Sequence, residues 1–157
     1  MPLKEDYNRR QKLIELIEKP LWTITGKCAK DTLIPDLVSI CKVNDQHQFI
    51  IFDAKYYNAH LEKGIVPTGQ PGIESITKQY LYQLAYQQFI EDHNFSSVKN
   101  CFLLPTENNE IEDKGEVRME MLSNLGLQDI KIRLIPATMA YDLYLSGRKM
   151  DMERLDL

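Results

Sequence analysis

Cysteine is scarce in this chain. Cys28, Cys41 and Cys101 stand far apart and form no C-x-x-C pair. An odd, scattered set excludes a disulfide framework and a cysteine-based zinc site, and fits a reduced, cytoplasmic setting. The histidines, His47, His60 and His93, have no companions at zinc-ligand spacing. The sequence lacks G-x-x-x-x-G-K-[ST], so it binds no nucleoside triphosphate through a P-loop. Ser75 and Ser146 lack the glycine frame of a nucleophile elbow. No apolar run approaches the ~18 residues of a membrane span, and the polar start does not read as a signal peptide. No membrane partner is expected. Positive charge is also short: 19 Lys and Arg stand against 23 Asp and Glu, a net charge of -4. That balance disfavours a domain built mainly to hold nucleic acid, because phosphate neutralisation needs clustered cations.

What is present is the composition of one soluble globular domain of 157 residues, 43% hydrophobic and 27% charged. Hydrophobic periodicity predicts a helix over residues 5–18, stopped by Pro20. A short strand follows at 21–25, then strands at 33–43 and 49–57 joined by the turn residues Asn44 and Asp45 as a hairpin. Residues 58–72 hold Gly64, Pro67, Gly69, Pro71 and Gly72 and read as a loop. One long helix is expected over 73–92, burying Ile73, Ile76, Tyr80, Leu81, Leu84 and Ala85. Beyond it come a strand at 98–104, a polar loop at 106–115 and a helix at 116–125 closed by Gly126. A strand at 129–135 and a helix at 138–145 complete the order, which predicts an α/β sandwich around a mixed sheet.

The chemistry concentrates on the hairpin. Phosphodiester hydrolysis needs a divalent metal held by hard oxygen ligands, an activated water, and neutralisation of charge on the phosphate. Asp36 stands at the start of the first hairpin strand, and Asp53-Ala54-Lys55 ends the second. Alternation along a strand puts Asp53 and Lys55 on one face, with Ala54 turned away and its carbonyl free as a further metal ligand. The hairpin brings Asp36 beside Asp53, so both carboxylates can hold one Mg²⁺, or Mn²⁺ in its place. A bare D-x-K is common, and a solvated ion pair on an ordinary strand accounts for the spacing equally well. The apolar run Phe49-Ile50-Ile51-Phe52 favours function. Placing a carboxylate and an ammonium at the end of a strand buried on both faces is costly unless they are paired or used. On the following helix Gln79 and Gln83 share a face, close to Tyr82 and Tyr86, with Lys78 one turn before Tyr82. Such groups can orient water or bind DNA phosphates, Lys78, Tyr82 and Gln83 being the candidates. A polar, partly exposed helix face is the plainer alternative.

The run Leu33-Ile34-Pro35-Asp36-Leu37-Val38, with Ile50-Ile51-Phe52-Asp53-Ala54-Lys55-Tyr56-Tyr57, resembles the PD-(D/E)XK nuclease signature. Pro71-Gly72-Ile73-Glu74-Ser75-Ile76-Thr77-Lys78-Gln79-Tyr80-Leu81-Tyr82-Gln83 is similar to the LlaJI-type restriction endonuclease family, itself similar to the nuclease subunit of the McrBC restriction system. The resemblance covers residues 20–86. It implies a restriction-endonuclease-like core with a central mixed sheet flanked by helices. Asp36 and Asp53 would be metal ligands, Lys55 the catalytic lysine, and Gln79 a flanking catalytic residue. The acid many such enzymes carry on the first helix has no clear match; Glu15 and Glu18 are the candidates, and a solvated helix face is the better reading of both. The resemblance further implies DNA as substrate, a separate recognition domain and a GTP-driven motor partner. This chain would then be one nuclease domain, the nuclease part of a longer subunit, with a homodimer left open. Two rivals remain: a repair or exonuclease-like enzyme on the same fold, and a catalytically inactive module that only binds DNA or protein.

Overall fold

The computed structural model describes residues 13–157. The expected first helix lies mostly outside the described residues, and its remainder is a 3-10 turn at Leu13–Leu16. A small hairpin follows, with β1 at Leu21–Trp22 and β2 at Lys27–Cys28. The main sheet has five strands: β3 (Leu37–Val43), β4 (Gln46–Ala54), β5 (Ser97–Thr106), β6 (Glu112–Val117) and β7 (Ile130–Pro136). Their order across the sheet is β3-β4-β5-β7-β6. The central β4, β5 and β7 are parallel, and β3 and β6 lie antiparallel at the two edges. This is the α/β fold with a mixed sheet that the element order implies.

The β3–β4 hairpin turns through Asn44 and Asp45 alone, with Val43 opposite Gln46. Both turn residues have positive φ, 50° and 64°, the backbone of a type I′ turn, whose twist matches that of the flanking strands. The strands therefore run straight out of the turn, and β4 begins earlier than its apolar core suggests. At the other end, β3 starts at Leu37 rather than at 33, after Pro35, whose ring removes a ladder donor.

The long helix is two: α1 (Ile73–Ala85) and α2 (Gln87–His93), meeting at Tyr86. Its inward face also differs from the expected one. Tyr80 packs in the core with Ile76 against it, but Ile73, Leu81 and Leu84 are exposed, and the buried positions are Gln79, Tyr80, Tyr82 and Gln83. The sheet beneath offers Asn100 and free main-chain acceptors, so amides and phenols satisfy that surface better than leucines. Below α1 and α2, Phe49, Ile51, Tyr82 and Tyr86 form one core cluster. On the opposite face of the sheet, Ile50, Phe52, Cys101 and Leu155 form another.

Part of the expected polar loop at 106–115 is an edge strand. β6 is charged and carries a bulge between Asp113 and Glu116, so it shows no alternation to read. Cross-strand pairs hold it to β7: Glu116 with Lys131 at 3.3 Å, and Asp113 with the buried Arg133 at 2.7 Å. The expected helix at 116–125 is a 3-10 segment, Glu120–Leu125, ended by Gly126 in the left-handed conformation. After β7 comes α3 (Ala137–Ser146). The Arg133 guanidinium also donates to the carbonyls of Leu155 and Asp156, tying the last residues to the sheet.

Candidate active site

The three residues of the P-D…D-x-K pattern meet at one end of the β3–β4 hairpin. Leu37 pairs with Phe52, and the same register carried one step further sets Asp36 opposite Asp53. Antiparallel partners share a face, so both carboxylates stand on the α1 side of the sheet, in line with Phe49 and Ile51. The Ala54 N–H donates to Asp36 Oδ2 at 2.8 Å, which locks the Asp36 side chain against the end of β4. The Lys55 N–H donates to the Leu103 carbonyl at 2.8 Å, extending the β4–β5 ladder just past the strand end. Its side chain returns to Asp53, with Nζ 2.7 Å from Oδ2.

Asp53 is 4% exposed. Burial, first, pushes its carboxyl above the usual carboxylate range; the neighbouring Asp36 pushes the same way, and Lys55 pulls against both. Oδ2 has its ion-pair partner but no aligned hydrogen-bond donor. A buried carboxylate oxygen in that state carries unused capacity for a cation. Among the described residues no cluster of three or more His, Cys, Asp or Glu side chains is placed to hold a metal. Glu15 and Glu18 are exposed. Among the described residues, the acids brought together at this strand end are Asp36 and Asp53. Two carboxylates suit Mg²⁺, which binds through one or two of them and completes its octahedron with waters and substrate oxygens.

The layer above the pair comes from α1. Tyr82 lies close enough to Asp53 and Asp36 that their charges, after burial, raise its hydroxyl to about 12. Its OH donates to the Ile34 carbonyl at 3.0 Å, holding the segment that leads into Asp36. Gln79 is fully buried, and its Nε2 donates to the Ile51 carbonyl at 2.9 Å and to Asn100 Oδ1 at 3.2 Å. The Gln83 Oε1 accepts from Asn100 Nδ2 at 2.8 Å and from the Gln128 N–H at 3.0 Å. Tyr82 and Gln83 were expected as phosphate contacts. Both are buried, and these polar atoms are engaged inside the fold rather than presented on an open face. Lys78 is exposed on α1, and Ala54 is exposed at the end of β4. Asn100 escaped the sequence reading, although a lone amide inside the apolar run Val98 to Leu104 was a visible signal.

The arrangement is a buried carboxylate, Asp53, beside the exposed Asp36, with a lysine at a strand end. The LlaJI restriction endonuclease family model matches residues 4–143, nearly the whole chain. The chain belongs to that family. Its α/β sheet is the restriction-endonuclease-like core that the resemblance implied. A relative, the "Type II restriction enzyme BsuMI component YdjA" of Bacillus subtilis (strain 168), is 29% identical over 158 residues. The match takes in 97% of this chain but 32% of that protein, so this member of the LlaJI family spans about a third of the relative's length. No solved structure gives a significant match.

Proposed function

We propose that this chain is the nuclease domain of a restriction system, hydrolysing DNA phosphodiester bonds with Asp36, Asp53 and Lys55. The observation that carries the reading is the placement of Asp36 opposite Asp53, with the Lys55 ammonium 2.7 Å from Asp53. Membership of the LlaJI family supports it. Asp36 and Asp53 would hold Mg²⁺, or Mn²⁺, with the Ala54 carbonyl as a third oxygen. Bound there, the ion would supply Lewis-acid stabilisation of the phosphate and lower the pKa of water. Asp36 contributes a carboxylate locked by the Ala54 N–H. Asp53 contributes a buried carboxylate whose partner at rest is the Lys55 ammonium. Lys55 neutralises charge that develops on the phosphate oxygens as water attacks. Gln79 positions the strand from α1, through the Ile51 carbonyl two residues before Asp53. Lys78 is the α1 cation left for DNA phosphate.

The relative is named as a component of a restriction enzyme, and we extend that to this chain: further segments or subunits supply sequence recognition, with a GTP-driven motor as one such partner and a homodimer as another arrangement. A cytoplasmic location follows from the substrate; no helix among the described residues is long and apolar enough to cross a membrane.

The test is metal binding and cleavage in parallel. Ca²⁺ or Mg²⁺ should raise the melting temperature of the wild type, and a ligand at 100 times its Kd adds about 2.7 kcal/mol. Asp36→Asn and Asp53→Asn should abolish that response and the cutting of linear and circular duplex DNA. Cleavage that survives both substitutions would refute the site. Cutting confined to linear DNA would favour the exonuclease-like alternative.

A further inference from the structure

The β1–β2 hairpin adds no residue to the core clusters, and only its base, Pro20 and Leu21, shares a groove with Ile17 and Tyr86. Trp22 is 65% exposed and Ile24 fully exposed, at the tip of a well-built turn. Trp22 pairs with Lys27 and Leu21 with Cys28. The Gly26 N–H, at a φ of +64° that suits glycine, donates to the Trp22 carbonyl at 2.9 Å, and the Thr25 hydroxyl donates to the same oxygen at 3.0 Å. The base is closed by the Ala29 N–H on the Pro20 carbonyl at 2.8 Å and by the Thr32 hydroxyl on the Glu18 carbonyl at 2.5 Å. The ribbon thus holds two large apolar side chains out in water, where they gain nothing for the fold.

Its charge is as unusual as its apolar tip. Between the flanking acids Glu18 and Asp31, residues 19–30 carry Lys19, Lys27 and Lys30, a local excess of positive charge in a chain whose net charge is -4. None of these lysines takes part in an ion pair among the described residues. The ribbon is also tethered to the acid pair. Three residues lie between Thr32, at its base, and Asp36, and the four steps bound the gap at about 14 Å. The Tyr82 hydroxyl fixes that short connection at Ile34.

We infer that this hairpin is an arm that grips the duplex beside the cut site, with Lys19, Lys27 and Lys30 on phosphates and Trp22 and Ile24 against sugar and base surfaces. The inference rests on the nuclease reading for its substrate. A two-stranded ribbon fits a DNA groove, and apolar wedges flanked by cations are a recurring means of holding DNA without reading its sequence. The charge decides between occupants: an apolar tip with Lys27 across from Trp22, and Lys19 and Lys30 at the base, complements a polyanion, whereas an interface between copies would bring these like charges together.

Trp22 is the chain's one tryptophan, so the arm reports on itself. The experiment titrates the protein with a fluorescently labelled duplex oligonucleotide in EDTA, following tryptophan emission and label anisotropy together. Expected is a saturable change in Trp22 emission with the same midpoint as the anisotropy. Lys27→Glu with Lys30→Glu should weaken binding at least tenfold and flatten the dependence of log affinity on log salt by about 2. Trp22→Ser with Ile24→Ser should weaken it severalfold without lowering the melting temperature. Asp53→Asn should leave the emission change intact while abolishing cleavage, which separates the arm from the site. Duplex that binds and is cut with no change in Trp22 emission, and with unaltered affinity in the hairpin variants, would overturn the arm and leave the nuclease standing. An emission shift that follows protein concentration without DNA would assign the tip to protein contact and overturn it too. A full emission response with no cleavage under any divalent metal would keep the arm and sink the nuclease.

Discussion

Lys55 pairs with a buried carboxylate at rest, and in the proposed reaction it would also neutralise a phosphate. Lys55→Ala should lower cleavage by roughly 10²–10³-fold, the usual loss for one group aimed at developing charge. The metal-free protein should also become less stable, because Asp53 would be left buried without its cation. Added Ca²⁺ should restore that stability but not the activity. Recovery of both would make Lys55 a structural partner only. Cys101 makes a different prediction. Burial, opposed only weakly by Arg133 and Lys131, raises its thiol to about 12 from an ordinary 9.0. The folded state therefore holds the proton more tightly than the unfolded chain. Its contribution to stability is complete below pH 9 and is lost as pH rises through about 12. At neutral pH a thiol reagent should label the exposed Cys28 at once and Cys101 only on unfolding. Fast labelling of Cys101 in the native state would contradict its burial.

At the scale of elements, α1 is bonded to the sheet by amides as much as by apolar contact. Asn100 joins Gln79 to Gln83, and Gln83 in turn caps the Gln128 N–H. Asn100→Leu should cost about 1–3 kcal/mol in denaturant unfolding, since it takes one hydrogen-bond partner from each of two buried amides. A neutral result would show that the network is replaceable by packing. This network also explains what the sequence disclosed. Apolar strands were legible wherever a strand is buried on both faces, as in β4, β5 and β7, and the hairpin was legible from its turn residues and its acids. α1 was found, but the wrong stripe was assigned to the core, because hydrophobicity ranks Leu81 and Leu84 above Gln79 and Gln83. Only the position of Asn100, 17 residues beyond Gln83 in sequence, reverses that order. β6 was missed because ion pairs to β7, not alternating side chains, hold it in place. That Asp36, Asp53 and Lys55 lie together needed the least inference, since all three belong to a single local hairpin.

For the whole molecule, charge governs behaviour on DNA. A net charge of -4 repels a polyanion, so the chain should bind duplex weakly and cut it slowly, with little sequence preference. Cleavage should rise steeply as salt falls and should improve when the rest of the restriction system is supplied. Tight, site-specific binding by this chain at physiological salt would place recognition here instead. The alignment of the acids, finally, is decided far from them. Asn44 and Asp45 sit at the opposite end of the hairpin, eight residues and roughly 27 Å along β3 from Asp36. A single glycine inserted between them offers β3 a pairing slipped by one residue, and such a slip turns every β3 side chain to the other face. Asp36 would then look through the sheet, away from Asp53. The turn is the indexing pin of the candidate site, and a change there that touches neither acid is expected to silence the proposed cleavage.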